Sequence, residues 1–128
     1  MGMKDEDELV AHQTVRAIEE LVAAVPELKC DWEEHLSLHA PLPYVFFGDV
    51  RRFAVGNVRH AAPELRRRFA MAINRFSDSG DWELENLVAV SFFEDLVTGR
   101  PGEAATLEAL KPWLSQGSLA ISKALESN

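Results

Sequence analysis

No run of apolar residues in this 128-residue chain approaches the roughly 20 needed to cross a bilayer as a helix. The start, "MGMKDEDELV", is acidic where a secretory signal would carry a basic stretch followed by an apolar one. Gly2 is followed by Glu6 where a myristoylation signal wants Ser or Thr. A soluble, cytoplasmic protein without a membrane partner is the expectation. Cys30 is the single cysteine, so no internal disulfide can form, and its place beside the apolar side of a predicted helix points to a reduced, packed thiol. Glycine-rich phosphate loops and dinucleotide fingerprints are missing, since "GDVRRF" offers one glycine where such loops need several. Ser91, in "AVSFF", lacks the flanking glycines of a nucleophile elbow and falls in mid-helix. It reads as a small packing residue bonding back to a carbonyl one turn earlier. No cofactor is expected.

Basic charge is scarce at both ends and plentiful in the middle. Residues 1–39 hold three basic and ten acidic side chains, residues 40–80 seven against three, and residues 81–128 three against eight. The segment sums of -7, +4 and -5 recover the net charge of -8. Segments lying side by side would neutralise one another's fields. The functional alternative is an acidic surface that steers a basic partner toward it. General attraction to nucleic acid needs a net basic face, which this balance opposes.

Helical periodicity is what the chain has in abundance. Ala11, Val15, Ile18, Val22 and Val25 recur at steps of three and four and draw one apolar stripe over Asp5 to Val25, with residues 1–6 expected to fray. Pro26 opens a second segment in which Leu28, Trp32 and Leu36 follow at four-residue steps until Pro41 and Pro43 end it. "PLPYVFFGDVRRF" (41–53) fits a strand poorly, because neither alternating face is cleanly apolar. As a helix started by Pro43, it places Phe46, Val50, Phe53, Ala54, Asn57 and Val58 in one stripe, with Tyr44 and Phe47 at the edge. Pro63 starts a helix with Leu65, Phe69, Ile73 and Phe76 inward and Arg66, Arg67, Arg68 and Arg75 around the outer arc. "SDSG" stops it, Gly80 suits the left-handed position, and Asp81 is the N-cap of the next helix, whose Glu83 and Glu85 meet the positive dipole end. That helix, apolar over more than half its circumference from Leu84 to Val97, must be central. A turn at Gly99, Pro101 and Gly102 precedes a helix from Glu103 carrying Leu107, Leu110 and Leu114, divided by Pro112, and Gly117 sets off a last helix ending near Glu126.

Six or seven helices with short turns leave no strand pair. The expected architecture is all-α, one compact domain, as an orthogonal bundle or short right-handed α-α superhelix. The hairpin from 63 to 98 resembles the paired helices of HEAT and armadillo repeats.

Asp31, His35 and His39, spaced by four, project from one side of the second helix and form the best metal candidate. Ordinary helix pairing and the negative dipole end explain the same residues, and no metal is expected. Glu94 with Asp95, or Asp49 with Arg52, could serve acid-base chemistry only by converging in a cleft; adjacent helical residues diverge by about 100°, so surface charge is the reading. The run Arg66 to Arg68 wraps around the helix and is expected to pair with the acidic first helix or C-terminal part. Among the three tryptophans, Trp82 follows a cap at a turn and is expected to be partly exposed among acids, as a contact anchor. Asp49 and Arg52 are expected to bond to each other or to the capped turn at Asp81 and Asn86, which leaves Arg51 most available to a partner.

"LPYVFFGDVRRF" (42–53), "GDWELENLVAVSFFEDL" (80–96) and "LKPWL" (110–114) together resemble an uncharacterised family of small, acidic, helical bacterial proteins, a domain of unknown function. The resemblance covers about two thirds of the chain and implies fold more than activity. By analogy, small acidic single-domain bacterial proteins of this kind are similar to immunity proteins, which cover a toxin's site. The expected function is a non-enzymatic interaction module, immunity- or antitoxin-like, that binds a basic protein through Arg51, Trp82, Glu83, Glu85, Glu94 and Asp95. One alternative is a small enzyme or ligand-binding protein with a polar cleft at Asp49, Arg52 and Asn86. Another is a structural or assembly subunit.

Overall fold

Five of the six prolines sit in the first turn of a helical segment in the computed structural model of the protein: Pro26, Pro43, Pro63, Pro101 and Pro112. A first-turn N–H has no partner inside the helix, so proline gives up nothing there and its fixed φ favours the start. The structure describes the backbone of residues 2–127 and the side chains of residues 12–127. The expectation for Ala11 falls on a side chain outside that range, and residues 2–6, expected to fray, have helical backbone as the start of the first helix.

The elements run in order as α1 (Gly2–Ala24), a 3-10 turn (Pro26–Leu28), α2 (Lys29–Leu38), α3 (Pro43–Gly56), a 3-10 turn (Val58–His60) and α4 (Pro63–Ser77). Then come α5 (Trp82–Val88), a π turn (Ala89–Phe93), α6 (Glu94–Val97), α7 (Pro101–Leu110), a 3-10 turn (Lys111–Trp113) and α8 (Gln116–Glu126). Residues 82–97 form one continuous rod, and the described residues contain no strand. Gly80 at φ 71° and Gly99 at φ 104° take the left-handed backbone that ends α4 and the rod, a conformation costly for any residue with a Cβ.

The rod is the centre of the molecule. Its first part packs on α1, α3 and α4, its π turn on α3 and α8, and its last part on α7 and α8. Phe92 and Phe93 are adjacent in sequence yet both fully buried, edge to face at 5.1 Å, because the rod has neighbours on more than one side. Phe92 continues to Phe69 of α4 at 5.7 Å.

The chain departs from the periodic reading at several points. Phe47, expected at the edge of the α3 stripe, is fully buried and meets Phe76 edge to face at 5.2 Å, since α3 is covered by α4 as well as by the rod. Phe53 is only partly buried. Leu36, expected to follow Trp32 inward, is exposed, and so is Cys30, because α2 is a short helix packed on one side only. The seventh helix starts at Pro101, not Glu103. Gly117 does not separate helices but lies in the first turn of α8, whose cap is Ser115.

Candidate functional site

Several polar assemblies and one open groove carry the chemistry of the surface. The first is the elbow between α2 and α3. Trp32 and His35 lie on the inner side of α2, stacked with centroids 5.7 Å apart and ring planes 11° apart, and Phe46 of α3 closes against both. His35 is 4% exposed, and its Nε2 accepts a hydrogen bond from the Leu42 backbone N–H at 3.0 Å. That bond needs a lone pair on Nε2, so the ring is neutral with its proton on Nδ1. Burial pushes the imidazole below its usual pKa, the nearby His39 adds to this, and Asp49 opposes it. The nitrogen that a metal would want is thus already in use. No group of three or more His, Cys, Asp or Glu among the described residues is arranged to hold a metal ion, and Asp31, His35 and His39 are no exception.

Arg51 overturns the expectation that it is the member of its stretch most available to a partner. It points down from α3 between the rod and α7, with a side chain only 19% exposed. Nε lies 3.1 Å from Asp95 and Nη1 lies 3.3 Å from Glu103, whose own side chain is 11% exposed. Asp95, also expected to face a partner, is the other half of this pair and keeps a side chain that is 54% exposed. Beside it, Asp49 and Arg52 pair with each other, as their three-residue spacing suggests. Asn86 does not join them. Its amide donates to the Tyr44 hydroxyl at 2.7 Å, tying the rod to the start of α3.

Two members of the arginine run make ion pairs, whereas Arg66 makes none among the described residues and its buried Nε has no hydrogen-bond partner there. Arg68 pairs with Glu27 at 2.8 Å and donates to the Ala24 carbonyl at 3.3 Å, fastening α4 to the end of α1. That bond holds the Glu27 carboxyl below its usual range and raises Arg68 above its own. Arg67 bonds to Glu64 on its own helix.

A further assembly joins α4 to α8. Asn74 donates from Nδ2 to the Trp113 carbonyl at 2.9 Å, and its Oδ1 accepts from the Ser115 N–H at 3.0 Å and the Ser118 hydroxyl at 2.8 Å. Ser118 and Ser77, both buried, share a further bond at 2.8 Å. Ser115 caps α8 and donates its hydroxyl to Asp78 at 3.0 Å. No periodicity or spacing in the sequence points to this cluster. Its one visible signal is Ser115 ahead of "QGSLAIS", a cap before a periodic segment.

The groove lies between the rod and α8. Asp81 caps the rod as expected, accepting from the N–H groups of Glu83 at 2.9 Å and Leu84 at 3.4 Å. The cap leaves Trp82 at the first position of α5, pointing outward and 68% exposed. Together with Glu85 and Asn86 one turn on, it borders an open depression of about 460 Å³ floored by Ala89, Gly117 and Ala120. Among the described residues, Glu85 is the one charged residue that lines it. Glu83 is half-buried, Glu94 is exposed farther along, and Ser91 is half-buried in the π turn without the expected bond to a carbonyl. Asp49 and Arg52 do not reach this depression.

A family model described as a domain of unknown function (DUF7674) matches residues 18–127. No curated protein and no solved structure matches the chain.

Proposed function

As a chain that belongs to the DUF7674 family, a domain of unknown function, this protein has its surface as the best guide to its role, and we propose that it is a non-enzymatic protein-interaction module. The observation that carries the reading is Trp82, a large aromatic held outward by a capped turn, beside Glu83 and Glu85 at the edge of an open groove. Exposed tryptophans next to shallow concavities supply much of the binding energy where proteins meet. The net charge of -8 selects a basic partner and speeds its approach. Glu94 extends the acidic side of the same rod with the exposed Asp95 beside it, and Arg51 supports the rod from within. A small acidic module covering a basic protein suits an immunity- or antitoxin-like role in a bacterial cytoplasm. Tagged protein in extract of its source cell is expected to retain a basic protein at low salt and release it as salt is raised. Retention unaffected by salt would contradict the reading.

A second reading, as an assembly subunit, is favoured by one observation. The elbow exposes Leu36, Leu38, Leu42 and Val45 within ten residues, and Leu38 is 68% exposed. Apolar side chains so concentrated commonly mark contact surfaces. Light scattering distinguishes this case by self-association of the purified chain.

A further inference from the structure

We propose that the groove between the rod and α8 receives an arginine side chain of the partner, stacked on Trp82 and paired with Glu85. This rests on the interaction-module reading and names the chemistry of its contact. Three features of the groove select that occupant. Its wall is an indole with 68% of its surface exposed and no partner ring among the described residues, so a flat face is open for stacking. Among the described residues its charged lining is a single carboxylate, Glu85, one helical turn beyond Trp82, and no described cation lines it in competition. Its floor is Ala89, Gly117 and Ala120, whose small side chains leave room for a long one from outside.

Gly117 has a further reason to stay small. A Cβ there would overlap the Asp78 carboxylate, which the Ser115 hydroxyl holds in place, so a second acid stands behind the floor. Lys123, the lysine nearest along α8, does not line the groove. A guanidinium suits this setting better than an ammonium. It is planar and weakly hydrated, it stacks on indole, and it bonds a carboxylate through two parallel N–H groups. The apolar stem of the arginine would cover Ala89 and Ala120.

The test uses the full chain and three capped tetrapeptides, Ala-Arg-Ala-Ala, Ala-Lys-Ala-Ala and Ala-Glu-Ala-Ala, followed by NMR of the tryptophan indole N–H signals. The Arg peptide is expected to shift the Trp82 indole and the amides of Gly117 and Ala120. It should bind at least about threefold more tightly than the Lys peptide, with no response to the Glu peptide. Trp82→Leu and Glu85→Gln should each abolish the effect, and Ala120→Arg, which fills the groove from α8, should do the same. Trp82 and Ala120 are exposed, so these variants are expected to keep the parent melting temperature. Equal response to the Arg and Lys peptides, or an Arg response that survives Trp82→Leu or Ala120→Arg, overturns the proposal. Loss of the natural partner on Trp82→Leu without any response to the Arg peptide overturns the arginine seat alone and leaves the module reading standing.

Discussion

His35 accepts the Leu42 N–H through Nε2 at 3.0 Å, so a buried imidazole latches the α2–α3 elbow from inside. Protonation would put a second donor against the first. Burial holds the folded-state pKa below the ordinary value of about 6.5, so the unfolded chain binds the proton more readily. The His35 contribution is therefore fully present above pH 6.5 and is lost as pH falls through that value to the lowered folded one. Urea unfolding between pH 5 and 8 should show this fall, with His39 and Asp49 as the neighbouring charges that modulate it. His35→Gln should flatten that part of the profile, and an unchanged slope would remove the latch from the account.

Arg51 sits among α3, the rod and α7, so its truncation strands carboxylates that were paired. Arg51→Ala is expected to cost about 2 kcal/mol in urea unfolding. Glu103→Gln should cost more than Asp95→Asn, because the Glu103 side chain is 11% exposed and that of Asp95 is 54% exposed. Equal, negligible costs would mean that the pairs are surface decoration.

Asn74 uses both ends of its amide at once. Asn74→Asp would replace the Nδ2 donor by an acceptor facing the Trp113 carbonyl, while Oδ1 could still accept from Ser115 and Ser118. Asn74→Asp and Asn74→Ala are each expected to lower stability by about 2 kcal/mol. Hydrogen exchange should show faster opening at the start of α8.

Gly117 and Asp78 form a coupled pair in which one occupies the space the other leaves. Gly117→Ala gains helix propensity of up to about 1 kcal/mol but must displace the Asp78 carboxylate from Ser115. In the parent the two effects nearly cancel. In an Asp78→Ala background the propensity gain remains alone, and a double-mutant cycle should return a coupling of about 1 kcal/mol. Additive effects would show that the contact carries no energy.

Local grammar made most of the fold legible. Proline-started helices, the left-handed Gly80 and the Asp81 cap are decided within a few residues of one another, and the structure has all of them. The same is true of the exposed Trp82, which its cap positions. What escaped the sequence depends on partners far along the chain. Arg51 meets residues 95 and 103, and Asn74 meets 113, 115 and 118, and no spacing rule encodes such meetings. Phe47 and Leu36 depart from their stripes for a related reason. A stripe gives the direction of one neighbour, whereas α3 has several and α2 has cover on one side only.

Trp82 is the proposed anchor of the partner contact. With the captured partner in hand, its affinity for the parent chain and for Trp82→Ala, measured by calorimetry at low salt, is the most direct test. The expected result is weakening by about 30-fold or more, a loss of about 2 kcal/mol, at an unchanged melting temperature. Affinity preserved within twofold, with loss on Leu38→Ser instead, would contradict the account and move the contact to the α2–α3 elbow.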